Sequence, residues 1–206
     1  LLTLACAMDD AVAVDELLAR PTVEVRRLLD AKGAKMVTPG TAKGAPLHRR
    51  EPLGQKLTQY AEGMSPLLAA MTFASPRVCE KLMDAGADVA RDGLALLGER
   101  PCTFRGAAIA GKADNVRLLL ARHPEYTTAI SPTGACPLHF AAFSSRCLGQ
   151  AEVVRALLEA GAKSSLGQNY LFCGAPLATA CSTYDQDPEA LRLLLDAGAD
   201  PSQPAV

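Results

Sequence analysis

The chain has 206 residues, of which 49% are hydrophobic and 4% aromatic, and its 21 basic and 22 acidic side chains give a formal net charge of −1. This composition is typical of a globular protein, and the near-neutral charge provides no overall attraction to nucleic acid or to an anionic membrane. Since no window reaches the roughly 18 uninterrupted apolar residues of a membrane-spanning helix, we expect no membrane insertion.

The first predicted helices lie within residues 1–34. Apolar residues at helical spacing favour helices over 2–7, 12–18 and 23–29, with a break before Pro21. We interpret 2–7 and 23–29 as a pair. The middle helix either completes a cap or belongs to a preceding unit.

Residues 35–62 form a long insertion. Its six prolines and glycines oppose a continuous helix: Pro39, Gly40, Gly44, Pro46, Pro52 and Gly54. A basic run in this segment comprises Lys43, His48, Arg49, Arg50 and Lys56. They form either a solvated loop or a site for an acidic partner or phosphate.

From residue 63 onward, two short sequence motifs alternate, which we call the first and the second phrase. The first begins a helix and occurs as SPLLAA at 65–70, TFRGAA at 103–108, CPLHFAA at 136–142 and APLATA at 175–180. The second ends a helix and occurs as LMDAGAD at 82–88, LLEAGA at 157–162 and LLDAGAD at 194–200. Proline suits a first helical turn, and glycine suits the left-handed position after a last turn. Each pair of phrases therefore predicts a helix–turn–helix unit.

The leucines of the second phrase recur at a nearly constant interval. Leu82, Leu119, Leu157 and Leu194 are separated by 37, 38 and 37 residues. Together with the alanine pairs of the first phrase, they predict one buried face per helix. Short helix pairs complete their core only against neighbours, so the repeat predicts a stack.

Three departures from regularity have structural consequences. His123 stands where other units have glycine, and Pro124 follows it, so we expect that helix to end differently. At the positions that precede the first helices, Ser65, Cys102, Cys136 and Ala175, only Ser65 carries a strong capping oxygen. Extra residues at 144–150 and 184–187 lengthen two inter-helix links.

Cysteine usage bears on the cellular compartment. The seven cysteines are scattered without a Cys-x-x-Cys pair, which disfavours a disulfide framework and a structural zinc site. We expect an intracellular, reducing compartment such as the cytoplasm, with Cys79 and Cys181 as buried core thiols. The sequence starts without methionine, which we interpret as a processed or partial form of a longer chain.

The two phrases resemble the ankyrin repeat, whose unit opens with TPLHxA, forms two antiparallel helices and ends in GAD before a β-turn. The resemblance is strongest at 136–142 and 84–88. It implies an all-α ankyrin-repeat solenoid, a single domain of about five helix–turn–helix units with β-turn or loop connections. The expected units are 1–34, 63–89, 102–125, 135–163 and 174–200, with the insertion at 35–62.

No residue pattern indicates catalysis. The sequence shows no nucleophile beside a base, no phosphate-binding loop and no metal-ligand spacing. His139 belongs to the repeat opening, where its ring can form a hydrogen bond near the helix start, and His123 belongs to a helix end. We therefore predict a non-enzymatic protein without cofactor or metal.

The resemblance implies a protein–protein interaction module that acts as a scaffold or adaptor through a concave groove and projecting turns. The alternatives are a permanent structural subunit of a large assembly and the non-catalytic part of a larger enzyme. Matched residue by residue, the groove candidates are Thr72, Phe73, Ile109, Ala110, Phe143, Ser144, Ser182 and Thr183. The turn candidates are Arg91, Leu94, Ile130, Thr133, Asn169, Tyr170 and Phe172.

Two open points concern these candidates. Phe73 and Phe143 have core packing as the alternative to partner contact. The segment 170–172 either anchors a partner or covers the end of the array.

Overall fold

The computed structural model describes residues 1–31, 64–89, 103–131, 133–143, 149–171, 173–182 and 186–203, so the insertion at 35–62 lies outside the described residues. The α-helices in these ranges are α1 Leu2–Ala7, α2 Ala11–Leu18, α3 Thr22–Asp30, α4 Pro66–Phe73, α5 Pro76–Asp84, α6 Thr103–Ile109, α7 Ala113–Arg122, α8 Pro137–Ala142, α9 Gln150–Glu159, α10 Pro176–Ser182 and α11 Pro188–Asp196. Two 3-10 helices, Pro124–Thr127 and Ala162–Ser165, follow α7 and α9.

The helices form two layers. The first helices of each pair, α1, α4, α6, α8 and α10, contact one another in that order. The second helices, α2, α5, α7, α9 and α11, do the same, and each contacts the first helix that precedes it. The predicted all-α repeat fold is confirmed.

The core lies between these layers, where the repeat predicts it. The four periodic leucines and the alanine pairs at 69–70, 107–108 and 141–142 are fully buried. The small side chains allow adjacent first helices to approach closely. At Gly106 in α6, an added Cβ would lie 2.4 Å from Thr72 Oγ1 in α4, so this position requires glycine or movement of its neighbour.

Helix ends follow the local rules. Ser65 Oγ accepts a hydrogen bond of 3.1 Å from the backbone N–H of Leu68. Left-handed glycines follow three of the second helices: Gly86, Gly161 and Gly198, with φ of 87°, 100° and 103°. After α7, His123 has φ of −136° and the chain continues into a 3-10 helix, which confirms the different ending expected there.

The partner of α1 differs from the prediction. The sequence interpretation pairs 2–7 with 23–29, whereas α1 packs against α2 and α2 contacts α5. The turn between α1 and α2 also matches later pairs, because Asp9 has φ of 56° where Gly111 and Gly149 have 69° and 84°. The predicted pairing is therefore wrong, and α3 is an additional helix that contacts α4.

Two buried amide side chains bind carbonyl groups near the C-terminal ends of first helices. Gln150 Nε2 donates to the carbonyl oxygen of Ala142 at 2.7 Å, and Asn115 Nδ2 donates to that of Ala74 at 3.0 Å. The sequence interpretation places Gln150 in the lengthened link at 144–150. Instead, it is the first residue of α9.

One cysteine prediction is confirmed and one is wrong. Cys79 is buried, but Cys181 is exposed. Cys181 lies on α10, and no first helix follows α10 in the described part of the chain. A side chain at this position would be buried if another first helix packed against it. On α10 the same position lies at the surface.

Ion pairs connect consecutive second helices on their exposed side. They include Lys81–Asp15, Arg122–Asp84 and Arg155–Glu189. Exposed pairs of this kind contribute about 1 kcal/mol or less. Burial of the periodic leucines therefore contributes more to the cohesion of the stack.

Replacing Leu157 by alanine tests this shared core. Leu157 is fully buried, so its truncation leaves a cavity and should lower the free energy of unfolding by about 3 kcal/mol. The control is Leu195→Ala in α11, where the side chain is 45% exposed, with an expected loss below about 1 kcal/mol. Urea denaturation followed by circular dichroism measures both. Equal losses would contradict the packing described here.

Candidate functional site

Two neighbouring turns each lead into a first helix. The 130–135 turn precedes α8, and its Ser131 N–H donates to the carbonyl oxygen of Ala135 at 2.9 Å. The 169–174 turn precedes α10, and its Tyr170 and Gly174 exchange two backbone hydrogen bonds of 2.9 Å. These turns occupy the connections that the sequence places between helix pairs.

Backbone contacts join the two turns. Leu171 N–H donates to the carbonyl oxygen of Thr133 at 3.0 Å. Gly134 has φ of 87°, and an added Cβ would lie 2.1 Å from the carbonyl oxygen of Asn169. Only glycine at position 134 allows the backbones of the two turns to come this close. The turns therefore form one continuous surface.

His139 connects the 169–174 turn to α8. The backbone N–H of Cys136 donates to His139 Nδ1 at 3.0 Å, which leaves the proton of a neutral ring on Nε2. Nε2 then donates to the carbonyl oxygen of Gly174 at 2.9 Å. Burial lowers the pKa of His139 and favours this neutral form. The hydrogen bond predicted near the helix start is confirmed.

The thiol of Cys136 completes a capping box at the start of α8. Its Sγ lies 3.1 Å from His139 Nδ1 and 3.8 Å from the carbonyl oxygen of Ser165. Burial raises the pKa of this thiol to about 11, so it remains protonated at neutral pH. A nucleophilic cysteine needs thiolate character and access. The Cys136–His139 contact is therefore structural rather than a catalytic dyad.

A strip of side chains crosses from the first-helix layer to the 169–174 turn. Arg105 Cζ in α6 lies 5.9 Å from the ring centroid of Phe140 in α8. Phe143 follows one helical turn later, and its ring centroid lies 6.5 Å from that of Tyr170 in an edge-to-face arrangement. We call Arg105, Phe140, Phe143 and Tyr170 the aromatic strip.

The candidate contact residues have different environments. Ile130 and Phe143 are 52% and 40% exposed, so Phe143 is a surface residue. Phe73 packs against the core, and Thr72 Oγ1 donates to the carbonyl oxygen of Leu68 at 2.8 Å. Five candidates lie outside the described residues: Arg91, Leu94, Ser144, Phe172 and Thr183.

Part of the candidate set converges on the joined turns. Four candidates meet there: Thr133, Phe143, Asn169 and Tyr170. Three other described candidates lie at other levels of the stack: Ile109, the last residue of α6, Ala110 directly after it, and Ser182, the last residue of α10. Leu171, 61% exposed, adds an apolar side chain to the convergent set.

Arg105 is the site residue that the sequence interpretation misses. In the other repeat openings, its position holds Leu68, His139 and Ala178. Comparison of the four openings would have revealed one permanently charged side chain among apolar residues and a histidine. That contrast is the sequence signal by which Arg105 could have been identified as a candidate.

A cavity of about 400 Å³ lies apart from the strip, along the turns between first and second helices. Its charged lining residues are Lys112, Asp114, Arg117 and Glu152. Arg117 pairs with Asp114 at 3.1 Å and with Glu152 at 3.8 Å, and the lining contains no histidine or cysteine. Ser75 also lines the cavity, and its backbone N–H and its hydroxyl both donate to Asp9 Oδ1, at 2.9 and 2.8 Å.

Within the described ranges, no group of three or more histidine, cysteine or acidic side chains is positioned to hold a metal ion. A separate finding is that none of the described helices has the length and apolar character needed to cross a bilayer.

Comparison with protein-family models matches residues 133–166 to the ankyrin repeat. The match spans the end of the 130–135 turn, α8 with its capping box, and α9. Residues 133–166 are therefore similar to one ankyrin repeat. Ankyrin repeats are protein–protein interaction modules and are typically non-catalytic. A search of curated proteins finds no match to this chain.

The buried ring of His139 predicts a pH dependence of stability. Burial lowers its pKa from the ordinary value of 6.5, so the unfolded chain takes up a proton before the folded chain does. This contribution is fully present above pH 6.5 and is lost as the pH falls through the lower folded-state pKa. The loss is at most about 1.4 kcal/mol per pH unit.

Thermal unfolding between pH 7 and pH 5 measures this effect. His139→Leu, which copies Leu68 at the equivalent position, should flatten the dependence, whereas His123→Gln should retain it. NMR titration of the His139 ring in the unaltered protein provides a check that does not require the variant to fold. A ring that protonates at its ordinary pKa would contradict the assignment.

Proposed function

We propose that this chain is an ankyrin-repeat protein that acts as a non-enzymatic scaffold or adaptor and binds a protein partner through its first-helix layer and the joined turns. The observation that supports this proposal is the exposed apolar set of Ile130, Phe143 and Leu171 beside the half-buried ring of Tyr170. Aromatic and apolar side chains surrounded by polar groups are typical anchors of protein interfaces.

The backbone beneath these anchors is held in place before a partner arrives. His139 binds the 169–174 turn, and the Leu171–Thr133 hydrogen bond joins it to the 130–135 turn. Pre-organisation lowers the ordering cost of association. The surface is therefore suited to recognition by shape, without bond chemistry.

The second-helix layer is a weaker candidate for the same role. Its exposed side carries many charged residues that pair between levels, including Arg122–Asp84 and Arg155–Glu189. Interface centres are depleted in charged residues. This contrast favours the first-helix side.

A second candidate function is a permanent structural subunit of a large assembly. One observation favours it: four large apolar residues at the first level of the stack are exposed, namely Leu1, Met8, Val12 and Val23. Permanent interfaces are large and apolar. Size-exclusion chromatography separates the candidates, because an adaptor should elute as a folded monomer, whereas a permanent subunit should associate or aggregate when isolated.

Site-specific photo-crosslinking tests the proposed surface. Leu171 is replaced by p-benzoylphenylalanine, and the protein is irradiated in extract of its native source. Crosslinks to a protein are expected from this position, and Phe143→Ala should weaken that binding about tenfold because it removes an anchor. Mass spectrometry identifies the crosslinked protein.

The matched control places the same photoreactive residue at Leu195, which is 45% exposed on the second-helix layer. Few crosslinks are expected there. Crosslinks from Leu195 without any from Leu171 would overturn the proposed surface.

A further inference from the structure

Two stretches of the sequence that meet at the joined turns contain no charged residue. Neither 126–143 nor 164–182 includes aspartate, glutamate, lysine or arginine. Since 21% of the chain is charged, stretches of 18 and 19 residues would be expected to contain about eight charged side chains. The two stretches include both turns together with α8 and α10. Their histidine, His139, is fully buried.

The side chains that these stretches present at the surface are apolar or carry neutral polar groups. Ile130, Phe143 and Leu171 are large, apolar and exposed. Thr133 and Asn169 add a hydroxyl and an amide. We call these five residues the uncharged surface.

The backbone beneath the uncharged surface is hydrogen-bonded within the chain. Tyr170 and Gly174 bond to each other, and Leu171 N–H donates to the carbonyl oxygen of Thr133. These groups are not open to pairing with an added strand. Recognition at this place therefore depends on side chains.

From this composition we propose that the partner segment that docks on the uncharged surface is itself apolar and uncharged. Its large apolar side chains pack on Ile130, Phe143 and Leu171, and its hydroxyl, amide or backbone groups face Thr133 and Asn169. This inference rests on the proposed function and specifies the chemistry of the partner. Removal of apolar area from water then provides the driving force for association.

A charged segment fits the same place poorly. An ion that leaves water for an uncharged surface loses its hydration and gains no opposite charge, and this cost applies to both signs. The second-helix layer is different, since its charges pair between levels, as Arg155 does with Glu189 at 3.2 Å. Arg105 of α6 is engaged within the chain and is not part of the uncharged surface.

Selection of short random peptides displayed on phage tests the proposal with the whole chain as bait. We expect the enriched peptides to share large apolar residues flanked by neutral ones. The best peptide is then synthesised together with two versions that carry lysine or glutamate beside its apolar anchor, and fluorescence polarisation measures their affinities. Both charged versions should bind about tenfold more weakly.

The salt dependence of the affinity provides a second measurement. Raising sodium chloride from about 0.1 M to about 1 M shortens the Debye length from about 10 Å to about 3 Å and screens attraction between charges. The affinity of the best peptide should not fall over this range. A fall of about tenfold would indicate ion pairing and would overturn the uncharged partner.

Variants of the chain locate the contact. Leu171→Lys and Leu171→Glu should each weaken binding about tenfold, because a charge of either sign must be desolvated by the apolar segment. Phe143→Ala should have a similar effect because it removes an anchor. The matched controls are Leu195→Lys and Leu195→Glu on the second-helix layer, which should leave the affinity within about twofold. Circular dichroism confirms that each variant is folded.

The outcomes separate this inference from the proposed function. If the enriched peptides require charged residues and lose affinity with Phe143→Ala, the uncharged partner is wrong and the binding surface stands. If one of the two charged variants at Leu171 strengthens binding, the uncharged partner is also wrong. If sedimentation shows a dimer that Phe143→Ala dissociates, the occupant is a second copy of the chain and not a partner segment. If no peptide is enriched, or if those enriched are unaffected by Phe143→Ala, both proposals fail.

Discussion

The structure depends on one packing constraint, that no helix pair buries its own apolar face. The first helices α1 and α8 have six residues each, too few to be stable alone in water. Leu119 and Leu157 are fully buried because neighbouring levels complete their surroundings. The recurring leucines, the close approach at Gly106 and the two-layer order are consequences of this shared core.

The same constraint divides the chemistry of the chain between its layers. The second helices use their charges to pair with neighbouring levels, as Arg155 does with Glu189. The first helices carry small and apolar residues that permit close packing, and α8 is followed by the exposed ring of Phe143. Buried polar groups such as Cys136 and His139 are satisfied locally, so they fix helix and turn geometry instead of reacting.

Local rules explain what the sequence predicts well. Proline at helix starts, glycine at helix ends and the leucine period are set by neighbouring residues along the chain, and the structure reproduces them. The pairing of α1 was not predictable in this way, because 12–18 and 23–29 are both helical patterns and only tertiary contacts select between them. Cys181 illustrates the same limit, since its burial depends on whether another level covers it.

The site is less accessible to sequence reasoning than the fold. Phe73 and Phe143 occupy similar places after their small-residue pairs, yet one packs against the core and the other faces outward. The contact between Leu171 and Thr133 joins residues 38 positions apart, and no local pattern indicates it. The contact of the Arg105 guanidinium with the ring of Phe140 joins neighbouring helix pairs, and only the structure reveals it.

The interlocking of Gly134 with Asn169 limits how this protein can be re-engineered or can diverge. A new sequence grafted into either turn must preserve the backbone approach, or the other turn loses its support. The two segments are therefore best exchanged as one cassette together with His139. Over evolutionary time, insertions and deletions should accumulate in those loops between helices that lack such a close backbone contact.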